Sequence, residues 1–290
     1  MGSPPTAVAV VTDSTHYLPR ALLAAHDVHE VSLLVGWGDG ELRREADISD
    51  LGAFYDELRT AATVPTTAEP SVEDVRAVYE PLLEAGRDIV SVHLSAGLSG
   101  TVRVAQAARE ACSAPERVCV VDSGTAAGGL GLTVLAAAAA AAAGAARAEV
   151  AAAATRAGDH VRTWFTVDTL EYLRRGGRAG AAQRWLGGAL RIKPILALER
   201  DIAPVERVRT AERAFERMTE YLEALCDAGR DAWVVQHIRA EEAAARLADH
   251  GRAVFGSEPV CVSEIGPVIG AHIGPRLLGV AGMARELLRP

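Results

Sequence analysis

Lysine is almost absent from this chain: Lys193 is the only one among 290 residues. The positive charge is arginine, and acidic residues outnumber it, leaving a formal net charge of -8. Such a surface offers no basic field to attract phosphates, which argues against nucleic acid as an electrostatic partner. Cysteine is also scarce. Cys112, Cys119, Cys226 and Cys261 are scattered without metal-like spacing. They read as thiols of a reducing compartment, and no metal site is expected. No strongly hydrophobic run is present either. The stretch Leu130–Ala143 is apolar but mostly alanine. It is too short and too weakly apolar to read as a membrane span. Alanine favours helix and allows close approach, so a helix packed on a sheet is expected there. A basic leader is missing too, because the strand Ala7–Val11 begins almost at once. The chain reads as a cytoplasmic protein without an integral membrane segment. Disorder is expected only in the first five and last two residues.

What is present is apolar residue in quantity, 49% of the chain. At this length two cores are expected rather than one. The first half alternates strands and helices. Strands are expected at Ala7–Val11, Glu30–Val35, Asp88–Leu94 and Val118–Val121. Helices are expected at Pro19–Ala25, Ser49–Ala61, Val72–Glu84 (capped by Ser71), Thr101–Cys112 and in the alanine run. This rhythm predicts a mostly parallel sheet with helices on both faces and a crevice beyond the strand ends. The second half is mixed. Strands are expected at Val161–Val167, Ile192–Leu198, Asp201–Val208, Ala232–His237 and Val260–Ile265. Helices are expected at Leu170–Arg175, Thr210–Ala228 and Glu241–His250, with a loop over Gly266–Pro275. The expected fold class is therefore α/β in two domains, 6–158 and 159–288.

The most telling segment is Ser95-Ala-Gly-Leu-Ser-Gly-Thr101, between a strand and a helix. Hydroxyls and backbone N–H groups at a helix start suit an anionic oxygen, a phosphate or a carboxylate. Ser99 or Thr101 could equally cap the helix. Ser99 also invites comparison with a hydrolase nucleophile, with His272 as base and Asp13 as the nearest acid. The Gly-x-Ser-x-Gly spacing is not met, since Gly100 follows Ser99 directly. A nucleotide site lacks both glycine-rich fingerprints. Thr67, in the turn Pro65–Ser71, could present its hydroxyl to a ligand or simply belong to a proline-fixed turn. His272 lies in a glycine- and proline-bounded segment.

Together these segments resemble the DegV family of bacterial fatty-acid-binding proteins. The resemblance rests on Val11-Thr-Asp-Ser-Thr15, Thr67-Ala-Glu-Pro-Ser71, Ser95–Thr101 and Val120-Val-Asp-Ser123. It continues in Thr169–Arg178, Lys193-Pro-Ile195, Arg209-Thr210 and Gly270-Ala-His-Ile-Gly-Pro275. It implies one long-chain fatty acid in a tunnel between two domains, and no chemistry or cofactor of the protein's own. The carboxylate would be held by Thr67, Ser99 and His272. Some family members present the acid to a separate ATP-dependent kinase, and there Arg178 and Arg209 would face the partner. Ala68, Glu69, Ala96 and Ile273 depart from the family pattern. A glutamate aimed at a carboxylate would repel it, so Glu69 is expected to face solvent or be paired.

Overall fold

The computed structural model describes residues 7–38, 40–185 and 192–289. The first five residues, expected to be disordered, fall outside that range. The first half runs β1 (Val8–Asp13), α1 (Arg20–Ala25), β2 (Val28–Val31), β3 (Leu34–Gly36), β4 (Arg43–Arg44), α2 (Leu51–Thr60), β5 (Thr66–Ala68) and α3 (Val72–Glu84). It continues with β6 (Asp88–His93), α4 (Thr101–Ala111), β7 (Val118–Asp122), α5 (Ala127–Ala142) and α6 (Arg147–His160). The second half runs β8 (Arg162–Val167), α7 (Glu171–Arg175), β9 (Lys193–Glu199), β10 (Asp201–Val208), α8 (Ala211–Asp227), β11 (Ala232–Ile238), α9 (Glu241–Phe255), β12 (Cys261–Glu264), α10 (Pro267–Ile273) and β13 (Leu277–Met283).

Four strands form a parallel sheet in the order β2-β1-β6-β7. Successive residues of β1 serve opposite cores, as period-2 geometry requires. Ala9 and Val11 pack with Val75 and Tyr79 of α3 and Ala108 of α4. Val8 and Val10 face the other way, into the cluster holding Leu130 and Val134 of α5. A strand buried on both faces is what a parallel sheet demands. The larger sheet has the order β10-β9-β8-β13-β11-β12 and is antiparallel except for β11 and β12. Its outer face carries α8 and α9 through Met218, Leu222, Leu247 and Trp233. Helix α5 lies between the two sheets, touching β1 and β6 on one side and β11 and β13 on the other. This explains its composition: Gly131 passes so close to Leu18 that a Cβ would lie 2.8 Å from its Cδ2. Among the described residues no helix is long and apolar enough to cross a membrane.

Several expectations need correction. The single strand expected at Glu30–Val35 is two. β2 joins the parallel sheet, whereas β3 joins β4 and β5 in a small antiparallel sheet. Ser14 Oγ, accepting from Leu33 N at 3.2 Å, holds the break between them. The turn expected at Pro65–Ser71 contains β5, which pairs Thr67 with Val35. The segment Gly266–Pro275 is not a loop: Pro267 opens the short helix α10. A proline at the first helical position loses no hydrogen bond. Helix α6 and strand β13 were not expected at all. β13 is central, with β8 and β11 as its neighbours. The expected boundary near Gly158 falls in the last turn of α6, just ahead of β8.

Candidate functional site

A cavity lies where the small sheet, α5, α10 and the larger sheet meet, and Thr67, Ser99, His272 and Arg178 all line it. Most of its wall is apolar, including Leu33, Leu94, Phe165, Leu198, Ile265 and Leu277. Arg209 follows β10, is exposed, and is not part of the lining.

Each polar side chain arrives on a different element. Thr67 is the middle residue of β5, and its Oγ1 lies 2.7 Å from His272 Nε2. Helix α10 delivers His272. That helix is anchored at its start by Glu45, whose Oε1 accepts from Val268 N at 2.8 Å. Tyr17 OH accepts from Ile269 N at 3.2 Å and itself donates to Glu45 Oε1 at 2.9 Å. Tyr55 OH donates to the carbonyl of Ile265 at 2.6 Å. Glu45 is buried, and burial raises its pKa to about 7 against the lowering effect of Ser14, Val268 and Tyr17.

The paired glycines of Arg175-Gly176-Gly177-Arg178 have a steric cause. A Cβ on Gly176 would lie 2.3 Å from His272 Nδ1. Gly177 adopts φ of 70°, where glycine alone is unstrained. Arg178 then reaches back, donating from Nε to Leu98 O at 3.3 Å and from Nη1 to Gly176 O at 2.6 Å. Burial pushes the His272 pKa down to about 4, and the Arg178 charge acts the same way. The imidazole is therefore neutral at pH 7, with one donor and one acceptor nitrogen. Its Nδ1 is buried and has no partner among the described residues.

The loop at 95–100 is pinned from several sides. Ser95 N donates to Thr125 O at 2.7 Å, and Ala96 N donates to Asp122 Oδ1 at 3.1 Å. Ser95 Oγ donates to Arg200 O at 2.5 Å, joining the loop to the β9–β10 turn. The N-cap of α4 is Gly100, which has no side chain to cap with. Instead Ser99 Oγ lies 2.9 Å from Thr101 Oγ1 and accepts from Thr101 N at 3.3 Å. Glu69 Oε1 accepts from Gly100 N at 3.0 Å. Its pKa is lowered by backbone N–H donors, its own and that of Gly100, and by Arg103 and Arg178. The expectation that Glu69 must be paired thus has a concrete answer.

The hydrolase constellation does not assemble. Asp13, the nearest acid in sequence terms, lies 3.1 Å from His93 Nδ1 and accepts from Leu94 N at 2.9 Å. Ser99 meets Thr101, and His272 meets Thr67. Sequence reasoning also missed a group that register alone reveals. The pairing of β11 with β12 sets His237 beside Glu264, and Glu241 completes three ligand atoms within 4.8 Å of one another. Glu241 is exposed, and Glu264 Oε1 already accepts from Arg239 N at 3.2 Å.

A family model described as an uncharacterised protein of the DegV family matches residues 7–285. The chain belongs to the DegV family. A DegV domain-containing protein of Streptomyces coelicolor is 44% identical over 282 residues, covering 96% of this chain and 99% of that one. Protein DegV of Bacillus subtilis is 34% identical over 276 residues, covering 94% and 98%. Among solved structures, a DegV family protein from Thermus thermophilus, described by its fatty acid binding, superposes with a TM-score of 0.85 at 34% identity. That match covers 96% of this chain and 100% of the other. DegV of Bacillus subtilis, described as a fatty acid binding protein, gives 0.84 at 32% identity, covering 96% and 99%. The two-domain α/β DegV fold is thus the fold of this chain.

Proposed function

We propose that this DegV-family chain binds one long-chain fatty acid in the cavity and acts as a carrier, without catalysis of its own. The observation that carries this reading is a mostly apolar cavity with hydroxyls, an imidazole and an arginine on its wall. A buried carboxylate needs donors, and an acyl chain needs only apolar wall. The fatty-acid-binding descriptions of the Thermus and Bacillus proteins support it.

The headgroup works through Thr67. His272 Nε2–H donates to Thr67 Oγ1, which frees the threonine hydroxyl to donate to the carboxylate. The opposite tautomer would leave a buried N–H donor against Gly176, and orphaned donors are rarer than under-used acceptors. His272 is thus a positioning residue in this reading. Ser99, whose hydroxyl can turn from Thr101, gives a second donor, and Arg178 supplies the nearby charge. Native mass spectrometry of the purified protein, followed by lipid extraction, tests the reading. One fatty acid per chain is expected. No recovered lipid, together with no uptake of added palmitate or oleate, overturns it.

Presentation to an ATP-dependent fatty acid kinase belongs to the same proposal. Arg178 sits on the cavity wall, and exposed Arg209 is available to a partner bearing carboxylates or phosphates. Arg209→Ala should leave fatty acid binding intact and slow acyl phosphate formation by a cognate kinase. Unchanged phosphorylation returns Arg209 to an ordinary surface role.

A further inference from the structure

The far part of the cavity is not uniformly apolar. Gln236, 3% exposed, lines it from β11. Its Nε2 donates to His16 O at 3.2 Å and to Ser263 Oγ at 3.0 Å, with Tyr17 O at 3.4 Å. Two of these three acceptors are backbone carbonyls, which cannot donate. The amide is therefore fixed in one orientation, and Oε1 must be the atom turned away from them. Oε1 is buried and has no partner among the described residues. Beside it α5 has Gly128, where even a Cβ would lie 3.2 Å from Oε1. Thr163, on β8, also lines the cavity, and its Oγ1 is likewise buried and unpartnered.

Register gives their depth. Strand β13 follows the His272 helix, and Leu277 is its first residue. Gln236 stands opposite Gly279 and Thr163 opposite Ala281. These are two and four residues down the strand, about 7 and 13 Å beyond Leu277 at the usual rise per residue. A plain methylene chain would pass an acceptor that can be satisfied only by a donor, and buried acceptors left unpaired are costly.

We propose that the preferred ligand is a fatty acid carrying a hydroxyl group part-way along its chain, which donates to Gln236 Oε1. This deepens the fatty-acid reading above and rests on it. The hydroxyl loses its water on entry and regains a hydrogen bond at the carbon facing Oε1; Thr163 Oγ1 is one other far-wall group that could offer it a partner. Elsewhere in the cavity it is a penalty.

The test is competition between stearic acid and a series of octadecanoic acids carrying one hydroxyl, moved along the chain, on the full-length protein. One position should bind about five- to tenfold tighter than stearic acid, with its neighbours weaker. Gln236→Leu should abolish that preference while still binding stearic acid. The positional series on the unaltered protein decides the matter even if the variant does not fold. Weaker binding at every position overturns the proposal and assigns Oε1 to an ordered water. No binding of stearic acid or of any hydroxy acid overturns the fatty-acid reading itself, and this one with it.

Discussion

Two histidines of this protein, His93 buried and His272 half-buried, invite comparison. At the end of the β1–β6 pair, His93 is fully used: Nδ1 meets Asp13 at 3.1 Å and Nε2 meets Ser91 Oγ at 2.8 Å. At the cavity, His272 meets Thr67 through Nε2 and leaves Nδ1 without a partner among the described residues. The same side chain serves different ends. A satisfied buried network specifies and rigidifies a fold. In the reading proposed above, His272 instead holds Thr67 ready for a ligand through the one bond it does make. Asp13, Ser14 and Thr15 of the opening motif belong to the first kind. Burial alone would raise the Asp13 pKa, yet His93, Thr15 and the Leu94 N–H hold it below the ordinary carboxylate range.

The comparison breaks first under mutation of its two poles. Asp13→Ala should cost about 3–5 kcal/mol of stability, the usual cost of opening a fully buried pair. It would strand His93 and the N–H groups of Thr15 and Leu94 together. Thr67→Val leaves the backbone pairing of β5 intact and strands only His272 Nε2, so it should cost less, about 1–2 kcal/mol. Urea denaturation of both variants separates the poles. Equal losses would mean that the Thr67–His272 pair is scaffolding too.

Between the poles stands Glu45, which holds the start of the helix that carries His272. Its pKa in the folded protein is about 7, raised by burial from 4.5. The folded state therefore keeps a proton that the unfolded chain has already released over that interval. Stability contributed by Glu45 is complete below about pH 4.5 and is lost as pH rises through 7. The loss amounts to about 3 kcal/mol by pH 8. Glu45→Gln keeps the acceptor for Val268 N and has no proton to lose. Its stability between pH 5 and pH 8 should be flatter than that of the parent. Identical pH profiles would take Glu45 out of this role.

The legibility of the chain divides along the same line. Local signals were readable because they are local. Ser71 caps α3 through a reciprocal box with Asp74, and Thr210 caps α8 by accepting from Arg213 N at 3.1 Å. The parallel sheet followed from strand and helix alternation. What stayed hidden is set by tertiary pairing. β5 is three residues long and exists because β3 pairs with it. β13 reads as Leu-Leu-Gly-Val-Ala-Gly-Met, and its two glycines mask a strand buried on both faces. The buried face of α4 is not legible in the sequence either. Val102, Ala105 and Ala108 are buried, whereas Ala107 and Ala111 are exposed. Alanine carries too little contrast to report which side is inside. The Thr67–His272 contact spans 205 residues. No spacing rule reaches that far, and only the ordered set of family motifs put those residues on one list.

A ligand-based test sharpens the comparison further. Thr67→Val should weaken palmitate binding by about 1.5–3 kcal/mol, the worth of a hydrogen bond to a charged group. Calorimetric titration measures it, and unchanged affinity would place the carboxylate elsewhere.

The smallest effect is expected at Ser99. Its hydroxyl already has Thr101 Oγ1 at 2.9 Å and also accepts from Thr101 N. To serve a carboxylate it must give up or share the first of these, so its net contribution is a difference between two hydrogen bonds. Ser99→Ala should therefore cost about 0.5–1.5 kcal/mol of palmitate affinity, less than Thr67→Val. Thr101 is buried at the first turn of α4, and its own hydroxyl can turn toward the gap. Ser99→Ala with Thr101→Val should then lose more affinity than the two single variants added together. Strict additivity in that double-mutant cycle would show that the two hydroxyls act independently and that Ser99 alone faces the ligand.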